Sequence, residues 1–245
     1  MICKNCKNNF DGDFCNDCGQ NSNVRRIDSK YLLDEIPNSI FQINRGILFT
    51  VKELSIRPGH SIREFIKGKR KSHYKPLAFL LITSTLYVLS AYIFDRNTFM
   101  DDLISGFKES MNENNETSGL VALNWISKNQ TYITLILLPL FSLASYLTFL
   151  KSKYNYFEHL VLNFYIAGQQ FIIYFILSFI FFKEDFFLIT PIIIGILYNY
   201  WAFNQFFKKK KTTKKILLIT MTYLVYISEL IILSILISGI KLLIK

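Results

Sequence analysis

After residue 18 the chain contains no cysteine. All four of its cysteines fall within the first 18 of 245 residues, which excludes a disulfide framework stapling the fold and points to one local site. Glycine (10) and proline (5) are scarce. No internal repeat and no low-complexity domain interrupts the chain beyond a lysine run after residue 207, so repeat architectures are excluded. Alternating strands of ten residues are also missing, which leaves helices as the only backbone able to satisfy itself in a membrane. No nucleophile–base pair, phosphate loop or metalloprotease motif appears, so no enzyme chemistry is expected. The N-terminus opens with Cys and Lys where a secretory signal would begin its apolar core, so none is expected.

What is present is apolar and basic at once. Hydrophobic residues make up 51% and aromatic residues 16%, yet the net charge is +10 and the mean hydropathy is positive. A membrane protein with basic cytosolic loops combines these properties naturally; a soluble basic protein seldom does. Five apolar stretches are long enough for a hydrocarbon core of roughly 30 Å, which needs about 20 helical residues. They are Leu77–Phe94, Tyr132–Leu150, Leu160–Phe182, Phe186–Phe207 and Ile216–Ile240.

Charge orients them. Residues 1–76 hold 14 basic and 8 acidic side chains, and the loop Asp95–Gln130 holds 6 acids and 3 bases. Lys151 and Lys153 make the next loop positive, the turn Lys183–Asp185 is net negative, and residues 208–215 supply six lysines. This alternation predicts five spans with the N-terminus in the cytosol and the C-terminus outside. The expected fold is an all-α polytopic membrane protein with a small N-terminal zinc ribbon. Its parts are a ribbon at 1–22, an amphipathic basic connector at 23–76 and a transmembrane domain at 77–245.

The connector carries the stretch RPGHSIREFIKGKRKSHYKP, residues 57–76, with seven cations against Glu64 alone. Its position beside the first span gives it a topological role, and Arg57, Arg63, Lys67, Lys69, Arg70 and Lys71 are candidate contacts for anionic lipid headgroups or a cytosolic partner. Ile62, Phe65 and Ile66 suit a membrane interface better than a phosphate backbone, so nucleic acid is disfavoured. Ile47, Leu48, Val51 and Leu54 predict one face of a short helix, and Leu32, Leu33, Ile36 and Ile40 an earlier one strained by Pro37. Ser61-x-x-Glu64 reads as a capping box opening a helix over 62–67 that ends at Gly68 in a left-handed cap.

Cys3, Cys6, Cys15 and Cys18 form a C-x2-C-x8-C-x2-C array. Each C-x2-C makes a knuckle whose thiolates converge on one face, two knuckles complete a tetrahedron, and structural zinc is the expected metal. Reduced thiolates also place this end in the cytosol. Residues 1–20 carry two Lys and three Asp, a balance that would repel phosphate, so the ribbon is expected to meet protein.

Glu229 lies near the middle of the fifth span, Gln169 and Gln170 near that of the third, and Asn199 near that of the fourth. An ionisable group at that depth is costly unless paired, protonated or facing water. These residues make either an interhelical hydrogen-bond clasp or a polar cavity. Gly168 would allow close helix approach, and Pro191 could kink the fourth span.

Cys3, Cys6, Cys15, Cys18, Gly19 and Gln20, followed by Thr50, Leu54, Arg57, Pro58, Gly59, Ile62, Glu64, Ile66, Gly68, Lys69, Arg70 and Pro76, spell a CxxC…CxxCGQ ribbon and a T-x3-L-x2-RPG-x2-I-x-E-x-I-x-GKR-x5-P motif. This pattern resembles an uncharacterised bacterial membrane family, a domain of unknown function with an N-terminal zinc ribbon. The resemblance covers about the first third of the chain. It implies a multi-pass protein of the cell inner membrane and supplies no activity. The leading expectation is a non-enzymatic integral membrane protein whose ribbon and connector recruit a cytosolic partner or anionic lipid, and an oligomer is compatible with it. The alternative is a small transporter or channel using Glu229 and the intramembrane amides.

Overall fold

The computed structural model describes residues 1–32, 34, 46–94, 105–106, 129–180, 190–208 and 211–244, with backbone alone at 130–131 and 234–244. Among these residues the architecture is helical. The helices are α1 (Gly46–Ile56), α2 (Pro58–Ile66), α3 (Pro76–Ile93), α4 (Gln130–Thr148), α5 (Tyr156–Ile180), α6 (Thr190–Phe206) and α7 (Thr212–Ile244). The only strand-like pairing described is two isolated bridges in the ribbon, Ile2 with Asn9 and Phe14 with Asn21.

A helix stands at each of the five apolar stretches. Three of them, α3, α5 and the Thr212–Leu233 part of α7, are long and apolar enough to cross a membrane. The other two are less complete. The apolar part of α4, Tyr132–Thr148, spans only about 25 Å at ~1.5 Å per residue and contains Pro139. The described part of α6 is 17 residues long, and the 186–189 portion of the expected span lies outside the described residues. So do the acidic loop at 95–104 and 107–128, the turn at 183–185, and Leu33, Ile36, Pro37 and Ile40.

Helix boundaries follow local chemistry. Pro76 opens α3 behind an extended Lys75; its fixed φ suits the first turn and its missing N–H is not needed there. Pro58 does the same for α2, whose N-cap is Arg57 with no side-chain cap bond. The capping box expected at Ser61 is therefore absent: the helix begins four residues earlier than expected, Ser61 N–H donates to the Arg57 carbonyl, and its hydroxyl pairs with His73. A capping box does exist, at Asn155. Its side-chain oxygen accepts from Glu158 N–H at 2.8 Å, and the Glu158 carboxylate accepts from Asn155 N–H at 2.9 Å, which starts α5. Gly68, at φ 112°, ends α2 as expected. Lys69 N–H donates to Glu64 and Gly68 N–H to Phe65, the paired bonds of a Schellman turn.

The central helix is α5, which packs against α1, α2, α3, α4 and α6, while α7 closes the bundle against α4 and α6. A Cβ on Gly168 would lie 2.6 Å from the Phe79 ring, so this glycine does set the close approach of α3 to α5. Pro191 stands in the first described turn of α6, and what precedes Thr190 lies outside the described residues. The principal core sits at the ribbon end, where Leu54, Ile62 and Phe65 of the α1–α2 hairpin are buried against Val161, Tyr165, Phe203 and Phe206. Ile62, Phe65 and Ile66 thus face the bundle and not a membrane interface. On α1 the buried residues are Thr50 and Leu54, with Ile47 and Val51 partly buried; Leu48, expected on that face, is 77% exposed.

Candidate metal centre and the strap beneath it

The ribbon is built from two equivalent knuckles. Lys7 N–H donates to the Cys3 carbonyl and Gly19 N–H to that of Cys15; Cys3 N–H donates to Asn8 and Cys15 N–H to Gln20. Both turns close on a left-handed residue, Lys7 at φ 70° and Gly19 at 69°. Glycine meets that demand without strain in the second knuckle, and lysine accepts it in the first. The four sulfurs lie within 4.8 Å of one another, with Cys3–Cys18 and Cys6–Cys15 at 3.6 Å. A tetrahedral ion with bonds of ~2.3 Å needs sulfur pairs about 3.8 Å apart, so the cluster fits a metal ion. Asn5 N–H points at the Cys3 sulfur at 3.4 Å. Burial raises the Cys3 thiol, but the N–H groups of Cys6 and Asn5 and the neighbouring thiols outweigh it and hold it near 6.

The ribbon docks on its own chain. The strap, residues 67–75, donates Lys71 N–H to the Gln20 side chain at 3.0 Å and Ser72 N–H and hydroxyl to Asn5 at 3.3 and 3.2 Å. A Cβ at Gly68 would come within 2.8 Å of the Lys4 side chain and 2.9 Å of Val24. The strap in turn is fixed to the helices. Tyr74 N–H donates to Thr50 on α1, and Tyr165 of α5 donates its hydroxyl to the Tyr74 carbonyl. Just after the ribbon, Arg26 forks onto Glu158, its Nε and Nη2 both 2.8 Å from carboxylate oxygens. The Asn155 amide reaches the Ile27 carbonyl at 2.9 Å.

The six candidate cations separate into two groups. Lys67 and Lys71 are exposed. The other four have partners within the chain. Arg57 pairs with Glu53 and Glu64, and Lys69 pairs with Glu64. Arg63 is buried and caps the end of α6, donating to the carbonyls of Gln205 and Phe206. Arg70 lies 4.2 Å over the Tyr31 ring and donates to the Arg25 carbonyl. Burial would raise the Glu64 carboxyl, but Arg57 and Lys69 hold it near 2. Burial, with Lys69 nearby, pushes the His73 imidazole down to about 4.

The intramembrane amides do not form one cluster. Gln169 donates to Ser55 of α1 at 2.9 Å, and Gln170 to the Gly195 carbonyl of α6 at 2.8 Å. Gln170 and Asn199 share a cavity of about 280 Å³ with Asn163 and Tyr223; Asn163 Oδ1 and Asn199 Oδ1 have no hydrogen-bond partner among the described residues. Glu229 does not line that cavity, and neither of its carboxylate oxygens has a hydrogen-bond partner among the described residues. Two Ser–His pairs escaped sequence reasoning, Ser61 with His73 at 2.8 Å and Ser145 with His159 at 2.9 Å. Only separations of 12 and 14 residues mark them in the sequence. Both pairs are fully or almost fully buried among the described residues.

A helical protein of membrane type, headed by a four-cysteine module able to hold a metal ion, is the class these features define. Residues 44–88, which comprise α1, α2, the strap and most of α3, match the family described as "Protein of unknown function (DUF3667)". No curated protein and no solved structure matches the chain.

Proposed function

We propose that this is a non-enzymatic integral membrane protein of the inner membrane whose zinc-bearing head and basic strap recruit a cytosolic partner or anionic lipid. The head and strap lie in the cytosol and the C-terminus outside, in keeping with the positive charge of residues 1–76 and 208–215. Zinc is the metal, because four thiolates at tetrahedral spacing suit it and leave no open position for catalysis. One observation carries the reading: Lys67, Lys71 and Lys153 stay exposed around the docked ribbon while neighbouring cations are spent on internal partners. Protein extracted in mild detergent should carry anionic lipid in excess over the bulk membrane. Joint charge reversal of Lys67, Lys71 and Lys153 should abolish the excess. Wild-type protein with no enrichment would overturn lipid recruitment.

The cavity lined by Gln170 and Asn199 favours a second reading, a small transporter. Glu229→Gln tests it by complementation: a stable but inactive protein would promote transport, and full activity would remove proton coupling through Glu229.

A further inference from the structure

We infer that the depression where the ribbon, the end of α2 and the α4–α5 connection meet is a binding site for a phosphoryl group. It has a volume of about 320 Å³, room for roughly ten waters at ~30 Å³ each, and so for a phosphate with the small polyol it esterifies. Lys67 from the end of α2 and Lys153 from the α4–α5 connection line it. Both are exposed, and neither has an ion pair among the described residues. Lys4, Arg25 and Arg26 complete the basic wall.

Lys4, Arg25 and Arg26 are held in place before any ligand arrives. Lys4 sits inside the first knuckle with its ammonium 3.2 Å from the Val24 carbonyl. Arg26 is pinned by Glu158 and also donates to the Lys153 carbonyl at 2.8 Å. Glu158 is the one acid on the wall, and Arg26 already neutralises it. Arg25 pairs with Asp34 at 2.6 Å, which leaves Lys67, Lys153 and Lys4 as the lining cations without a carboxylate partner among the described residues. Lysine ammoniums serve as point charges for phosphate oxygens, and basic pockets between membrane helices take phospholipid headgroups. The ligand chemistry is therefore a phosphate ester, supplied by a soluble metabolite or by a lipid headgroup. Of the six cations singled out in the sequence, only Lys67 belongs to this site. Because Lys4 comes from the metal head, occupancy and metal retention are coupled.

This inference rests on the reading of an anion-recruiting basic face, and the test separates the two. Full-length protein in phosphatidylcholine nanodiscs is titrated with glycerol 3-phosphate. In parallel, detergent-solubilised protein is exchanged with mixed micelles of phosphatidylglycerol and phosphatidylcholine, and bound lipid is counted. The double variant Lys67→Ala/Lys153→Ala should weaken binding at least tenfold, whereas Lys52→Ala/Lys214→Ala, exposed cations elsewhere, should leave it unchanged. Saturable glycerol 3-phosphate binding supports the site with a soluble source; selective phosphatidylglycerol retention supports it with a lipid source. Bound ligand should also slow chelator extraction of the head metal in wild type and not in Lys67→Ala/Lys153→Ala. Equal weakening by both double variants would overturn the site and leave diffuse attraction. No binding of either probe by wild type would overturn the site and the recruitment reading together.

Discussion

The two ends of α5 live under different rules. From Glu158 to Phe171 the helix is buried on almost every side and is met by Arg26, Ser145, Tyr74 and Ser55 through directed hydrogen bonds. Toward its other end Phe175, Ile176, Phe179 and Ile180 are exposed, as are Leu86, Leu89 and Ile93 of α3. At the far end a side chain need only be apolar, since lipid asks nothing more of it. At the ribbon end each residue must fit a partner of given shape and hydrogen-bonding sense. The segment matched by the family, residues 44–88, supplies the α1–α2 hairpin and strap on the demanding side of that divide.

The largest effect should come from the head. Cys15→Ser should lose the metal, about one zinc per chain in wild type, and unfold the ribbon while the bundle stays folded; metal analysis beside far-UV dichroism in detergent checks both halves. The contrast sharpens with isoleucine. Ile62→Ala, at a fully buried site, should cost about 2–5 kcal/mol, whereas Ile180→Ala at an exposed one should change stability by under about 0.5 kcal/mol, read by reversible unfolding in mixed micelles.

Acid should act on the ribbon end as well. The His73 imidazole titrates near 4 against an ordinary 6.5, so between those values the unfolded chain binds more protons than the folded one. Its contribution is complete above pH 6.5 and falls, by roughly 2–3 kcal/mol, as pH drops toward 4. His73→Gln should flatten that branch of the stability–pH curve, and an unchanged slope would assign it elsewhere. Next in size is Gly59→Ala. Its Cβ would clash with the Ala202 carbonyl oxygen and Phe206 nitrogen of α6, and backbone cannot step aside, so about 1–3 kcal/mol should be lost. Gly195→Ala meets only the tip of Tyr174, which can swing, and should lose less. Smallest of all, Glu229→Gln should shift unfolding by under about 1 kcal/mol, because the carboxylate has no hydrogen-bond partner among the described residues.

What the sequence made legible was local. Cys3, Cys6, Cys15 and Cys18 converge because their spacing dictates it, and Gly68 ends its helix because six consecutive residues, 64–69, decide a Schellman turn. The capping box went to the wrong place because Ser61-x-x-Glu64 and Asn155-x-x-Glu158 satisfy the same rule, and Pro58 had already started α2. Arg63 read as a surface cation because its acceptors lie 142 and 143 residues away. Leu48 joined the wrong face because the packed stripe on α1 includes Thr50, polar in sequence but buried through its bond to the Gly46 carbonyl. The amides seemed to share a depth, yet Gln169 and Gln170 point to different helices, a distinction that adjacent positions on a helix enforce.

The contact between Arg63 and the end of α6 bears on biogenesis. The hairpin emerges early from the ribosome, yet the carbonyls that receive Arg63 are made 143 residues later, a delay on the order of ten seconds at ~5–20 residues per second. For that interval Ile62, Phe65 and an unpaired guanidinium must wait outside their final seat. They need either a holding chaperone or a provisional berth on the bilayer surface. Synthesis rate and insertase supply, as well as intrinsic stability, then govern how much of the protein matures.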